Sequence, residues 1–156
     1  MQTQRSVVLV KPDGLQRGLV GEIVSRFEKK GLKLVAIKMM KMTDEMLDKW
    51  YAHHKDKPFF SKLKSFMKVS PVVAMLWDGV ECIDAVREIT GITKARAAEA
   101  GSIRGDLAMS QQLNLIHASD SVEGAKKEQE LIFAGDDVFD YDKDIEVFVY
   151  SEEERE

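Results

Sequence analysis

Apolar residues fall along this chain at two spacings, and each change of spacing marks an element. Residues 6–10 form an unbroken, valine-rich run, as a buried strand does, and Lys11-Pro12-Asp13-Gly14 ends it in a turn. Val20, Ile23, Val24 and Phe27 then recur at helical spacing up to Gly31, which predicts a helix stopped by a glycine. Residues 34–39 read as a second strand. Thr43 is placed to cap a helix carrying Met46, Leu47, Trp50 and Tyr51, and a short helix with Phe59, Phe60, Leu63 and Phe66 follows Pro58. Pro71 opens a strong strand over 72–77, and Val80, Ile83 and Val86 mark another helix, closed by Gly91. Residues 91–106 have no apolar stripe, and a loop of that length inside a domain is expected to serve function or an interface. A short fourth strand is expected over 113–116. A helix follows from Ser121 towards Phe133, with Asp120 or Ser121 as its cap, and residues 145–150 alternate as a terminal strand or extended tail would.

The resulting order is β-α-β, an inserted helical pair, then β-α-β. It predicts one α+β domain over residues 1–156 with the ferredoxin-like, split βαβ plan. That plan is a four-stranded antiparallel sheet with helices on one face, here extended at the C-terminus. Many unrelated activities use it, so the plan by itself assigns none.

Composition narrows the field. A net charge of −4 argues against a dedicated nucleic-acid binder, which carries a basic excess. The single cysteine, Cys82, has no intrachain partner, as expected in a reducing compartment. No secretory signal is visible, since the apolar run before Lys11 is too short for one, and no stretch reaches the length of a membrane span. Eight methionines suit adaptable core filling.

His117 is the most informative position. An apolar stretch ends at this imidazole, and Ser119-Asp120-Ser121 begins a helix immediately afterwards, so the ring stands near a helix N-terminus that welcomes anions. That arrangement suggests a nucleophile that meets phosphate, although a lone histidine at a strand end is more often a hydrogen-bonded structural residue. Glu128 lies on the inward stripe of the following helix with Ala125, Leu131 and Ile132, where a carboxylate needs a partner. His117 and an arginine are equal candidates. Lys11 could point into a cleft from its strand end, against a default of solvated surface lysine. Arg87 lies near the apolar stripe of its helix and Arg104 in the long loop; with Lys11 they would suit a polyphosphate. Tyr51 and Phe59 read as core aromatics unless a polar cleft adjoins them. His53 and His54 are adjacent and do not form a metal pair, and no Cys/His set has zinc spacing.

With these residues in view, the chain resembles nucleoside diphosphate kinases from about Arg5 to Tyr150. The likeness is carried by Lys11-Pro12-Asp13-Gly14, residues 16–23, Lys57-Pro58-Phe59-Phe60, residues 71–75, Ile103-Arg104-Gly105-Asp106, and residues 114–121, the family's active-site signature. The resemblance implies ping-pong transfer. A γ-phosphate passes from a nucleoside triphosphate to His117 and then to a nucleoside diphosphate. Glu128 would orient the ring, while Lys11, Tyr51 and Asn114 would lie near the transferring group or the ribose. Arg87, Thr93 and Arg104 match phosphate-binding positions, and Phe59 matches the base-stacking residue. Magnesium would ride on the nucleotide phosphates without a direct protein ligand. The resemblance further implies a cytoplasmic homohexamer.

Free imidazole, with a pKa near about 6.5, is mostly neutral at pH 7 and needs no separate base. Two rivals share some of these features: a non-enzymatic nucleic-acid or regulatory module, and a histidine phosphatase or phosphocarrier. Lys94-Ala95 and Gln111-Gln112-Leu113 depart from the family's frequent Asn-Pro and Val-Gly-Arg, which bears on assembly and base preference. One geometric difficulty stands. Strand alternation would send Asn114 and His117 to opposite faces unless the strand ends or bulges between them.

Overall fold

Strand β1 (Gln4–Val10) is buried from Ser6 onward and supplies the middle of the molecule. In the computed structural model, which describes residues 1–156, the turn after it winds into the one-turn helix α1 (Pro12–Gln16), because proline at the first position presets the helical backbone. Helix α2 (Val20–Lys30) follows and stops at left-handed Gly31, leading to β2 (Lys33–Met40). The inserted pair is α3 (Asp44–Trp50), capped by the Thr43 hydroxyl accepting from the Met46 N–H, and α4 (Phe60–Met67). Then come β3 (Val72–Gly79), α5 (Cys82–Thr90), α6 (Ile103–Leu107), β4 (Ile116–Ala118), α7 (Val122–Ile132) and the short α8 (Glu152–Arg155).

The four strands lie in the order β2-β3-β1-β4, every neighbouring pair antiparallel. β1 and β2 therefore run parallel with β3 between them, the split βαβ that the element order predicts. One expectation is corrected: helices cover both faces, not one. Val8, Val10, Val73, Met75 and Trp77 pack with Ile23, Phe27, Cys82 and Val86. The alternate residues Val7, Leu9, Ala74 and Leu76 pack with Leu47, Trp50, Met67, Ile132 and Phe133. The inserted pair and α7 thus close the second face. The unbroken apolar runs of β1 and β3 are what two-sided burial requires.

Two further expectations shift. Residues 145–150 form neither strand nor extended tail; Asp144–Phe148 is a 3₁₀ helix that leaves Phe148 exposed. The long loop is partly ordered, with a 3₁₀ turn at Ala95–Ala97 and α6 capped by Ser102, whose hydroxyl accepts from the Gly105 N–H. Ala95 faces the core and is buried there.

Candidate active site

The fourth strand is displaced from its expected span, and the displacement builds the site. β4 begins only at Ile116, because Leu115 adopts φ 73°. A left-handed leucine breaks the strand's alternation. That is how Asn114 and His117 come to line the same cleft, which answers the difficulty in the sequence. Both Leu115 backbone groups bond to the start of α1: its carbonyl accepts from the N–H of Lys11, the residue before the helix, at 2.8 Å, and its N–H donates to Asp13 Oδ2 at 2.9 Å. Gly14 permits this approach, since a Cβ there would lie 2.9 Å from the Leu115 carbonyl oxygen.

His117 Nε2 lies 2.9 Å from Glu128 Oε1. The other oxygen, Oε2, accepts from the Ser119 hydroxyl at 2.5 Å; that hydroxyl in turn accepts from the Val7 N–H, and the Ser119 N–H donates to the Val7 carbonyl. Of the two partners open to Glu128, the imidazole is the one observed. A carboxylate only accepts here, so Nε2 carries the proton and Nδ1 keeps its lone pair. The indole of Trp50 meets the ring edge-on, with centroids 4.9 Å apart. The imidazole is therefore held through its far nitrogen and along one edge. α7 starts just beyond it, with the Ser121 hydroxyl accepting from the Gly124 N–H. Ser121 rather than Asp120 is the cap.

Lys11 is buried, not solvated. Its Nζ donates to Asn114 Oδ1 at 2.6 Å and to the Gln112 carbonyl at 3.0 Å, which leaves one of three donors. Burial lowers its pKa to about 8, with Asp13 opposing the shift and Arg104 adding to it. The Asn114 amide nitrogen donates to the Thr93 and Gln111 carbonyls, so this side chain ties three loop segments together and keeps one Oδ1 lone pair spare. Arg104 grips the carbonyls of Asn114, Gly91 and Ile116, and burial together with the Arg87 charge brings its pKa down to about 10 against the pull of Asp13. Arg104 depresses Lys11 and Arg87 depresses Arg104, and cations crowded in this way mark a place where a polyanion is stabilised. The Tyr51 hydroxyl is pushed up to about 12 by burial and by the Glu128 charge, so it remains a protonated donor.

Lys11, Tyr51, Phe59, Arg87, Thr93, Arg104, Asn114, His117 and Glu128 all border one cleft of about 880 Å³. Phe59 is 38% exposed, and the same cleft is lined by Gln111, Gln112 and Leu113. Reading the sequence missed three contributors. Ser119 reads there as part of a capping cluster, Trp50 as core filling, and Asp13 as a turn residue. Only contacts across the fold reveal their parts.

A single cleft lined by an aromatic, a lysine, two arginines and an imidazole held by a carboxylate has the make-up of a nucleotide phosphotransferase site. The sequence model of the family described as Nucleoside diphosphate kinase matches residues 4–138. The nucleoside diphosphate kinase of Parabacteroides distasonis is 48% identical over 151 residues, which is 97% of this chain and 99% of that protein. That of Saccharomyces cerevisiae is 45% identical over 149 residues, 96% of this chain and 97% of that one. Among solved structures, a halophilic nucleoside diphosphate kinase from Halobacterium salinarum in complex with CDP aligns with a TM-score of 0.93 at 46% identity, covering 96% of this chain and 100% of that one. The chain belongs to the nucleoside diphosphate kinase family, and it is a phosphotransferase that moves the γ-phosphate of a nucleoside triphosphate onto a nucleoside diphosphate.

Proposed function

We propose that His117 Nδ1 carries the phosphoryl group between two nucleotides that occupy the cleft in turn. In the first half-reaction the Nδ1 lone pair attacks the γ-phosphorus, the N–P bond forms, and the bridging P–O bond breaks with its electrons going to the departing diphosphate. The ring then carries positive charge, which the carboxylate of Glu128 stabilises through Nε2–H. In the second half-reaction a terminal oxygen of another nucleoside diphosphate attacks the phosphorus and the N–P bond breaks. Each half exchanges one bond of phosphoanhydride-like energy for another, so no separate acid or base is required. The reaction depends on placement and on cations around the equatorial oxygens.

The remaining donor of Lys11, the unengaged N–H groups of Arg104, and Arg87 suit those oxygens. Thr93 suits a neighbouring phosphate, and Tyr51 offers its hydroxyl. The spare lone pair of Asn114 Oδ1 suits a ribose hydroxyl. The exposed face of Phe59 suits a base, and stacking reads no hydrogen-bond pattern, which favours breadth over selectivity. Magnesium neutralises phosphate charge when it arrives on the nucleotide. The donor set fits that delivery: no group of three His, Cys, Asp or Glu side chains stands ready to hold an ion, and Glu128 is engaged at both oxygens. We further read the protein as a cytoplasmic homohexamer. Support comes from the family likeness, the lone cysteine, and the exposed Ile37 and Met39 on the outer strand β2. Nucleic acid is not expected as its main partner.

The observation that carries the mechanism is the Nε2–Glu128 hydrogen bond, which leaves Nδ1 as the nucleophile. The test is a chase. ATP labelled on the γ-phosphate is incubated with the protein and removed, and a different nucleoside diphosphate is added. Acid-labile label should appear on the protein and pass quantitatively into the new triphosphate. Label that is released only as inorganic phosphate would instead identify a phosphatase, and absence of label would end the covalent mechanism. Glu128→Ala should slow single-turnover labelling by about tenfold to a thousandfold without abolishing it, because orientation is lost while the nucleophile remains. Unchanged rates would remove its orienting role.

A further inference from the structure

Asp13 has no part in the transfer as described, yet it stands at the joint on which the site is built. A leucine at positive φ is strained and persists only where its surroundings impose it. At Leu115 three things impose it. The side chain is fully buried, the carbonyl accepts from the Lys11 N–H, and the N–H donates to the Asp13 carboxylate. Of the groups that bond the Leu115 backbone, the Asp13 carboxylate is the only side chain. It is not capping its own short helix, because the N-terminus of α1 has no side-chain cap. Its reach is instead across the fold, over a sequence separation of 102 residues. The same carboxylate is the anion that opposes the pull of Arg104 on Lys11 and of Arg87 on Arg104.

We propose that Asp13 is a positioning residue: it pins α1 to the left-handed turn at Leu115, sets Lys11, Asn114 and His117 in one register, and supplies an anion to the cationic cleft. The proposal deepens the phosphohistidine mechanism and rests on it. Two variants separate its two parts. Asp13→Ala removes both the acceptor for the Leu115 N–H and the charge, whereas Asp13→Asn keeps an acceptor oxygen and removes only the charge.

For Asp13→Ala, kcat should fall by about tenfold to a hundredfold, as expected when a reacting group is misplaced by about 1 Å. Asp13→Asn should recover most of that kcat at pH 7, but the alkaline limb of its kcat/KM profile should move to lower pH. The limb belongs to Lys11, which faces Asp13 on α1, Arg104 on α6, the Gln112 carbonyl and Asn114 on the preceding loop, the Phe66 ring of α4 at 5.7 Å, and His117 on β4 in the same cleft. Stoichiometric labelling from γ-labelled ATP is measured in parallel. Wild-type protein that takes no label refutes the phosphohistidine mechanism itself. Label at full stoichiometry with slow turnover in Asp13→Ala supports the positioning role. If both variants merely melt at lower temperature, with kcat and the pH profile unmoved, the proposal is overturned. Should Asp13→Ala not fold, an Asp13→Asn enzyme with an unshifted alkaline limb overturns it equally.

Discussion

His117→Ala should lose at least about 10⁴-fold in transferase activity and all acid-labile labelling, because the covalent route disappears with its nucleophile. The fold should survive. His117 makes its side-chain contacts to Glu128 and Trp50 at the cleft wall, and the hydrophobic clusters on both sheet faces are built from other residues. Thermal unfolding and circular dichroism would check that point beside the activity assay. The variant leaves Glu128 with the Ser119 hydroxyl as its remaining side-chain donor, so a modest loss of stability is expected as well. Retention of most activity would mean that the phosphoryl group passes directly between nucleotides, or through another side chain.

Lys11 carries the second large effect. Its ammonium is protonated below about 8 and neutral above, so kcat/KM, which reports groups of the free enzyme, should fall about tenfold per pH unit once that value is passed. An ordinary lysine would hold its charge to above about 10. Binding of a phosphate raises the pKa again, so the profile of kcat should break at higher pH than that of kcat/KM. Lys11→Ala should cost about 10²–10³-fold at pH 7, the usual loss when one buried donor to a developing charge is removed. Lys11→Arg should not restore it. The Nζ sits between Asn114 Oδ1 and the Gln112 carbonyl, and a planar guanidinium does not fit a site shaped for a compact ammonium. A flat profile to pH 10 would place the phosphate contact elsewhere.

Strands β1, β2 and β3 were legible because each is an apolar-rich run with a glycine or proline near one end, and the helices because Val20 to Phe27 and Val80 to Val86 keep a helical period. What eluded sequence reasoning was relational. The unbroken run of β1 admits burial on one face or two. Only the packing of Trp50, Met67 and Ile132 against Val7 and Leu9 decides for two. The end of β4 misled because Leu115 has every mark of a strand residue, and no local rule predicts a leucine at positive φ. Its conformation is imposed from residues more than a hundred positions away. Lys11 looked exposed for a similar reason, since its partners Asn114 and Gln112 come from the far end of the chain. By contrast, the pairing of His117 with Glu128 could be reached from the sequence. A carboxylate on an inward stripe needs a partner, and an imidazole stood eleven residues before it.

The grip of Glu128 on Nε2 has a consequence for the chemistry of the modified protein. Imidazole has two sites for phosphorylation, and the products are isomers with different stabilities. With the outer nitrogen engaged by a carboxylate, phosphorylation of His117 should give only the isomer substituted on the nitrogen nearer the main chain. An antibody raised against the opposite isomer would leave this protein unstained even when every copy is charged.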